Sequence, residues 1–333
     1  MALKTQKKYD FLGIGSSVVD IHAIMKAPER IDIKSPKSLE QYVCVAFASK
    51  TPLNDLRLSG GGSAMNSLIT MAKLGAKTAL ISAIGNDTFG KIIREEIDKS
   101  CISREFLKVK KGKTGIGINI ISEGEKSVLI YRGVLNDLSP KDLPEQAIKR
   151  ANQVFITALA SEQAYQLFLK ALKLAKKNRV NIVFAPSISM LRIFSGRLRK
   201  LKNDFDLVML NYEEGCYYTG KKDIKKVLRA LPGKVCVVTK DKEGAYARDG
   251  RKYYHIGAVP VPVRGTIGAG DAFNGTFAYE YYNTGSVKKA MKLANAVAAM
   301  KIEHVDTVFH PSMADVRKFM ARYKKYLAVK EVK

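Results

Sequence analysis

Apolar residues along this chain fall into two alternating patterns. Tyr9 to Gly15 is a short continuous apolar run, the mark of a strand buried on both faces. Lys77 to Ile84, Gln153 to Thr157, Asn181 to Ala185, Leu207 to Leu210 and Lys234 to Thr239 read the same way. Between and after them lie segments of helical period. Ser161 to Lys177 places Leu167, Ala171, Leu174 and Ala175 on one face. Ser67 to Leu74, Lys91 to Ser100, Ile224 to Ala230, Ala272 to Tyr282, Val287 to Lys301 and Ser312 to Tyr326 are further expected helices. Strands and helices alternating at this spacing imply a mainly parallel sheet with helices on both faces, a three-layer α/β/α sandwich.

Two regions break the alternation. Residues 22–58 hold Pro28, Pro36 and Pro52, with short strand-like runs at Tyr42 to Phe47 and Leu56 to Leu58. Residues 114–131 read as a hairpin, Gly115 to Ser122 and Lys126 to Tyr131, turning at Glu123-Gly124. Both are expected to form a small β lid on one domain that takes up residues 1–333. No linker rich in Gly, Ser or Pro divides the chain, and no internal repeat is visible.

Three loops carry candidate chemistry. In Thr266-Ile267-Gly268-Ala269-Gly270-Asp271-Ala272-Phe273, small residues stand where an extended run (Ala258 to Val263) becomes a helix. Glycine permits close backbone approach, and a helix N-terminus offers unpaired amides to an anion. Asp271 would repel a phosphate ligand, but it suits a base that takes a proton from a hydroxyl attacking a phosphoryl group. A helix cap is the plainer use of the same residue. Gly60-Gly61-Gly62-Ser63-Ala64-Met65-Asn66 is a second glycine loop ahead of a helix. Gly85-Asn86-Asp87-Thr88-Phe89-Gly90-Lys91-Ile92 has the spacing of a phosphate-binding loop. Ile92, however, replaces the hydroxyl that would hold magnesium, so this stretch is read as a turn. Asp20, just past the first strand, can accept hydrogen bonds from substrate hydroxyls or be an ordinary loop carboxylate.

Composition narrows the classes. Lys and Arg number 57 against 31 Asp and Glu, a formal charge of +26. Such a field favours anionic substrates. The basic residues are spread over the whole chain without a nucleic-acid motif, so a nucleic-acid partner is not expected. No apolar run approaches a membrane span, and the first residues do not form a secretory signal. Cys44, Cys101, Cys216 and Cys236 are scattered, which fits reduced thiols in the cytoplasm.

Taken together, Gly61-Gly62 and Asn66, then Gly85, Asp87 and Gly90, and the later Thr266 to Phe273 run resemble the two signatures of the ribokinase-like, or phosphofructokinase-B, family. The resemblance covers nearly the whole chain. It implies a β lid over the substrate and transfer of the γ-phosphoryl of ATP, with Mg2+, to a hydroxyl. By the same resemblance Asp271 is the base, and Gly268, Ala269 and Gly270 form the anion hole. Asp20, Gly61, Gly62 and Asn66 bind the acceptor, and Thr239 and Asn295 contact the nucleotide. Asn211 and Glu214 organise magnesium, largely through water.

Three positions depart from the family pattern. Gly265 stands where many members have Asp, and Asp306-Thr307 where many have Gly-Ala. Both positions belong to loops that hold a monovalent cation, and a lost carboxylate weakens such a site. Asp241 replaces a glycine near the expected triphosphate. The run from Gly62 to Asn66 is similar to adenosine-kinase-like members, which points to a nucleoside acceptor, with ribose-type sugars and sugar phosphates as the other acceptors. A non-catalytic protein that senses nucleotide or grips nucleic acid is the alternative on the same fold. An open lid edge would also allow two copies to pair as a homodimer.

Overall fold

The computed structural model describes residues 7–25, 29–35, 38–122, 125–201, 204–304 and 310–332. In chain order, β1 (Tyr9–Ile14) leads to β2 (Val18–Ile24), the hairpin β3 (Glu29–Ser35) and β4 (Ser38–Cys44), and β5 (Asp55–Gly61). Helix α1 (Ser63–Lys73), β6 (Thr78–Ile81), β7 (Ala83–Gly85), α2 (Thr88–Lys99) and β8 (Lys108–Lys110) follow. Next come β9 (Ile116–Ser122), β10 (Glu125–Tyr131), α3 (Glu145–Lys149), β11 (Ala151–Ile156), α4 (Glu162–Lys177), β12 (Asn181–Phe184) and α5 (Ile188–Leu198). The chain continues with β13 (Phe205–Asn211), α6 (Tyr212–Thr219), α7 (Ile224–Ala230), β14 (Gly233–Thr239), β15 (Ala245–Asp249) and β16 (Lys252–Ile256). It closes with α8 (Ala269–Thr284), α9 (Val287–Ile302), α10 (Met313–Arg322) and β17 (Lys330–Val332).

The central sheet runs β17-β16-β15-β14-β13-β12-β11-β1-β6. From β14 to β6 every pairing is parallel, and β15 to β17 add an antiparallel edge. Successive strand residues point to opposite faces, and here both faces are dry. Leu12, Val154, Phe184, Val208 and Cys236 pack with α3 to α7 on one side. Phe11, Phe155, Val183, Leu207 and Val235 pack with α1, α2 and α8 to α10 on the other.

The β-sheet lid is a second sheet, β10-β9-β2-β5. Its strands alternate in a way that assigns each face a use. One register row reads Leu58, Ile21, Ile118, Leu129, apolar across all four strands. The neighbouring row reads Ser59, Asp20, Gly117, and the next Arg57, His22, Asn119. One face is therefore apolar and the other carries the polar groups.

Several elements differ from the sequence reading. The lid begins at Val18, so Asp20 sits inside a strand and not in a loop. The helices expected at Ser67, Lys91 and Ala272 begin earlier, at Ser63, Thr88 and Ala269. In each case the first turn holds glycine or small polar residues that carry no apolar period, so the pattern missed it. The strand expected from Lys77 to Ile84 is broken into β6 and β7. Ala258 to Val263 pairs with no strand. The turn at Glu123-Gly124 and the departures at Asp306 and Thr307 lie outside the described residues.

Candidate active site

Parallel strands that end together leave a crevice at their C-terminal edge. Asn211 and Thr239, the last residues of β13 and β14, are direct register partners at that edge. Asn211 caps α6: its side-chain oxygen accepts from the Glu214 amide at 2.8 Å, and a Glu214 carboxylate oxygen accepts from the Asn211 amide at 3.0 Å. The other Glu214 oxygen accepts from the Ile188 amide at 3.0 Å. One carboxylate thus ties the first turns of α5 and α6 together. Loss of water around it pushes Glu214 up to about 7 against the pull of its two amide donors, and the charge of Asp271 adds to the rise.

Asp271 lies in the first turn of α8. Gly268, in the left-handed region at φ 76°, opens that helix without a side-chain cap. The N-terminus of α8 carries partial positive charge, and its Ala269 amide donates to the Thr266 carbonyl at 3.3 Å. Asn66, in the first turn of α1, donates from Nδ2 to Asp271 Oδ2 at 3.1 Å. Ser67 Oγ donates to the Asp271 carbonyl at 3.1 Å. These two bonds join the glycine loops that the sequence separates by about two hundred residues. The helices approach closely because Gly275 lacks a side chain: a Cβ there would stand 2.5 Å from the Ser67 carbonyl oxygen.

Gly62, at φ 99°, lets β5 turn directly into α1. A Cβ on Gly62 would stand 2.7 Å from the Ser16 carbonyl oxygen. Asp20 lies across the polar face of the lid between two glycines. A Cβ on Gly61 would fall 2.0 Å from Asp20 Oδ2, and one on Gly117 2.6 Å from Asp20 Oδ1. Asn119 Nδ2 donates to Oδ1 at 3.5 Å. The carboxylate has a groove made for it.

The Gly85 to Ile92 stretch, expected to be a turn, is tied to Thr114 and to the start of α2. Asp87 accepts from the Gly90 amide and the Thr114 amide, each at 2.9 Å, and Gly85 N donates to Thr114 Oγ1 at 2.9 Å. Asn295 is buried and donates to the Gly257 carbonyl at 2.9 Å, which secures the loop after β16. Thr239 is partly exposed at the strand end, and Asp241 behind it has φ 37°.

Four residues near this crevice escaped the sequence reading: Ser67, Gly117, Asn119 and Arg132. Arg132 follows β10 and donates to Ser189 Oγ at 2.9 Å. Ser189 neighbours Ile188, so this guanidinium reaches from the base of the lid to the α5 turn that Glu214 holds. Burial pushes its pKa down. Its place one residue past the hairpin was a usable signal.

The pfkB family carbohydrate kinase profile matches residues 39–313. The chain belongs to that family. It is a phosphotransferase acting on a sugar hydroxyl. A 5-dehydro-2-deoxygluconokinase of Clostridium botulinum (strain Eklund 17B) is 28% identical over 97% of this chain and 96% of that protein. Adenosine kinase from Sinorhizobium meliloti superposes with a TM-score of 0.79 at 21% identity, over 93% of this chain and 99% of that one. A ribokinase II from E. coli in complex with ATP and Mg2+ superposes at 0.77 and 21% identity, over 95% and 99%. The solved structures establish the ribokinase-like fold, and the nucleoside expectation gains nothing beyond it. Among the described residues no helix is long and apolar enough to cross a membrane.

Proposed function

We propose that this protein transfers the γ-phosphoryl group of MgATP to a hydroxyl of an acidic sugar. The observation that carries the reading is the Asn66–Asp271 bond, which holds a carboxylate at the open N-terminus of α8. The acceptor would lie between that carboxylate and Asp20 on the polar lid face. Its hydroxyl oxygen attacks the γ-phosphorus, the bond to the β–γ bridging oxygen breaks, and ADP leaves with that electron pair. Asp271 takes the hydroxyl proton. The amides of Gly268, Ala269, Gly270 and Asp271 would stabilise the charge that gathers on the transferred group, the Ala269 amide giving up its bond to the Thr266 carbonyl. Closing the lid would exclude water, which would otherwise take the acceptor's place.

Oxygen donors at Glu214 and Asn211 suit magnesium, which keeps most of its water shell. The ion would be held mainly by ATP and water. When bound, the ion supplies charge neutralisation on the phosphates. Thr239, at the end of β14, and Asn295, in α9, would contact the nucleotide.

Acidity of the acceptor is supported by Arg132, a half-buried guanidinium whose hydrogen bond goes to a neutral serine. Arginine pairs with carboxylate through two parallel bonds. The gluconokinase name carried by the relative agrees with that choice.

ADP release on a panel of sugar acids, neutral sugars, sugar phosphates and nucleosides tests the reading. Sugar acids should be preferred. Asp271→Asn should lower turnover about 10³-fold while leaving MgATP binding intact. Normal turnover in that variant would sink the mechanism. Arg132→Met should raise KM for sugar acids about tenfold and leave neutral sugars alone. Equal effects on both would remove the acidic acceptor, and a strong nucleoside signal would replace it.

We infer further that two copies pair through their lids. Leu56, Leu58, Ile118 and Leu129 share the apolar lid face and stay exposed. A monomeric mass in solution at micromolar concentration would refute the pairing.

A further inference from the structure

We propose that the protein carries a second ligand site at the N-terminal edge of the central sheet, a pocket that takes a phosphate monoester of a small hydroxylated molecule. The pocket opens where α7 runs into β14 and has a volume of about 550 Å³. Arg229, Leu231, Pro232, Lys234, Arg248 and Asp249 line it. Gly233 begins β14 at this pocket, and Thr239 ends the same strand at the crevice. At ~3.3 Å per residue the two places lie about 20 Å apart. The pocket is therefore separate from the site already described.

Arg248 is fixed in place. The end of a helix leaves carbonyls without partners, and this guanidinium answers them. Its Nε donates to the Leu228 carbonyl at 2.9 Å, and its Nη2 to the carbonyls of Leu231 at 3.2 Å and Gly233 at 2.7 Å and to Cys236 Sγ at 3.0 Å. Nη1 makes no hydrogen bond among the described residues. A guanidinium held this way loses little further freedom when its remaining donors take an anion. Arg229, near the end of α7, is exposed and forms no ion pair among the described residues. Lys234 gives its ammonium to Asp206 Oδ1 at 2.7 Å. Two guanidiniums thus line one pocket with a single lining carboxylate, Asp249.

Those groups describe an occupant. Like charges around one space repel, and an anion among them removes the repulsion. The arginine fork matches phosphate oxygens, and a monoester carries a charge of about −1.5 to −2 at neutral pH. The volume falls within the ~300–1,000 Å³ of small-molecule sites, so a bare oxyanion would leave most of it unfilled. Leu231 and Pro232 give an apolar wall for the body of the ligand, and the Asp249 carboxylate can accept from its hydroxyls. Lys225 and Lys226 stand one turn before Arg229 on α7, and Arg251 and Lys252 follow Gly250 at the turn after β15. Their field gathers anions at the opening.

The test is calorimetry of the full chain at an ionic strength of about 0.1 M, with glucose 6-phosphate, ribose 5-phosphate, glycerol 3-phosphate, inorganic phosphate and glucose as separate probes. At least one ester should bind at millimolar concentration or below. Glucose should not bind, and inorganic phosphate should bind at least about tenfold more weakly than that ester. Arg229→Gln, a change at an exposed position, should weaken the ester about tenfold. Lys99→Gln is the charge-matched control. Lys99 is exposed at the end of α2, shortly before Ser103 bridges to Ala79 of β6 at the far edge of the sheet. It should leave the affinity unaltered.

Absence of binding by all three esters would overturn the proposal. So would inorganic phosphate that binds as tightly as the best ester, since the pocket would then read the anion alone. An ester that binds Arg229→Gln as well as the wild type sits elsewhere on the protein, which also overturns it. An equal loss in Lys99→Gln would mean that only the overall positive field is at work, with the same result.

Discussion

The body of the molecule and its lid solve the same problem in opposite ways. In the body, each central strand buries both faces, so Phe155 and Val154 lie in different cores though adjacent in sequence. In the lid, one face carries polar groups, while the other remains apolar and in part exposed. The body gains stability from its burial. The lid forgoes stability in return for a surface that can bind and release. Glycines show the same division. Gly275 serves packing between α1 and α8, whereas Gly61 and Gly117 make room for a single carboxylate.

Substituting those glycines is the sharpest way to break the comparison. Gly275→Val should be the most damaging, because a side chain there meets backbone, 2.5 Å from the Ser67 oxygen. A loss of about 3 kcal/mol in chemical denaturation is expected, together with activity, since Ser67 holds Asp271. A stable, active variant would show that the helices can spread. Gly117→Ala should leave the melting temperature nearly unchanged but raise KM for the acceptor about tenfold, a cost of about 1.4 kcal/mol in substrate binding. An unaltered KM would take Asp20 out of the acceptor site.

The smallest effect belongs to the outer rim of the body. Glu105 accepts from Tyr9 at 2.6 Å and Lys8 at 2.9 Å and also pairs with Arg150. Tyr9 first, then Arg150 and Lys8, hold its carboxyl down at about 2. A carboxylate with a lowered pKa adds stability above its unfolded value, and that contribution fades as pH falls toward 2. The side chain is about one-third exposed, so the gain is small, within about 1 kcal/mol. Glu105→Gln should therefore destabilise slightly at pH 7 and match the wild type near pH 2. A deficit that persists in acid would mean that packing and not charge is at stake.

The body was far more legible in the sequence than the lid, for physical reasons. Strands buried on both faces are continuous apolar runs, which is why β1, β11 and β14 could be read within a residue or two. Lid strand β2, Val-Val-Asp-Ile-His-Ala-Ile, carries polar Asp20 and His22 among its apolar residues and so did not read as a strand. Helices α5 and α6 have short or mixed apolar faces and were not seen. At the site, Asp271, Asn66 and the glycines were visible because loop-to-helix chemistry leaves a local signature. Ser67 was not: its bond to Asp271 comes from what lies next to it in space, and nothing in its own neighbourhood marks it. Arg132 was missed although its place just past the hairpin is a local mark.

One feature of the lid bears on how this protein can be taken apart. Its four strands come from two excursions of the main chain, the stretch from β2 to β5 between β1 and α1 and the later β9–β10 pair, and after each the chain returns to the central sheet or the helices around it. The lid is therefore woven into the body and is not a cassette that one deletion could remove or one crossover could exchange. A protease cut in the exposed stretch from Val45 to Leu53 would leave both fragments anchored, one through β1 and one through β6. They should travel together in native electrophoresis and separate only in denaturant.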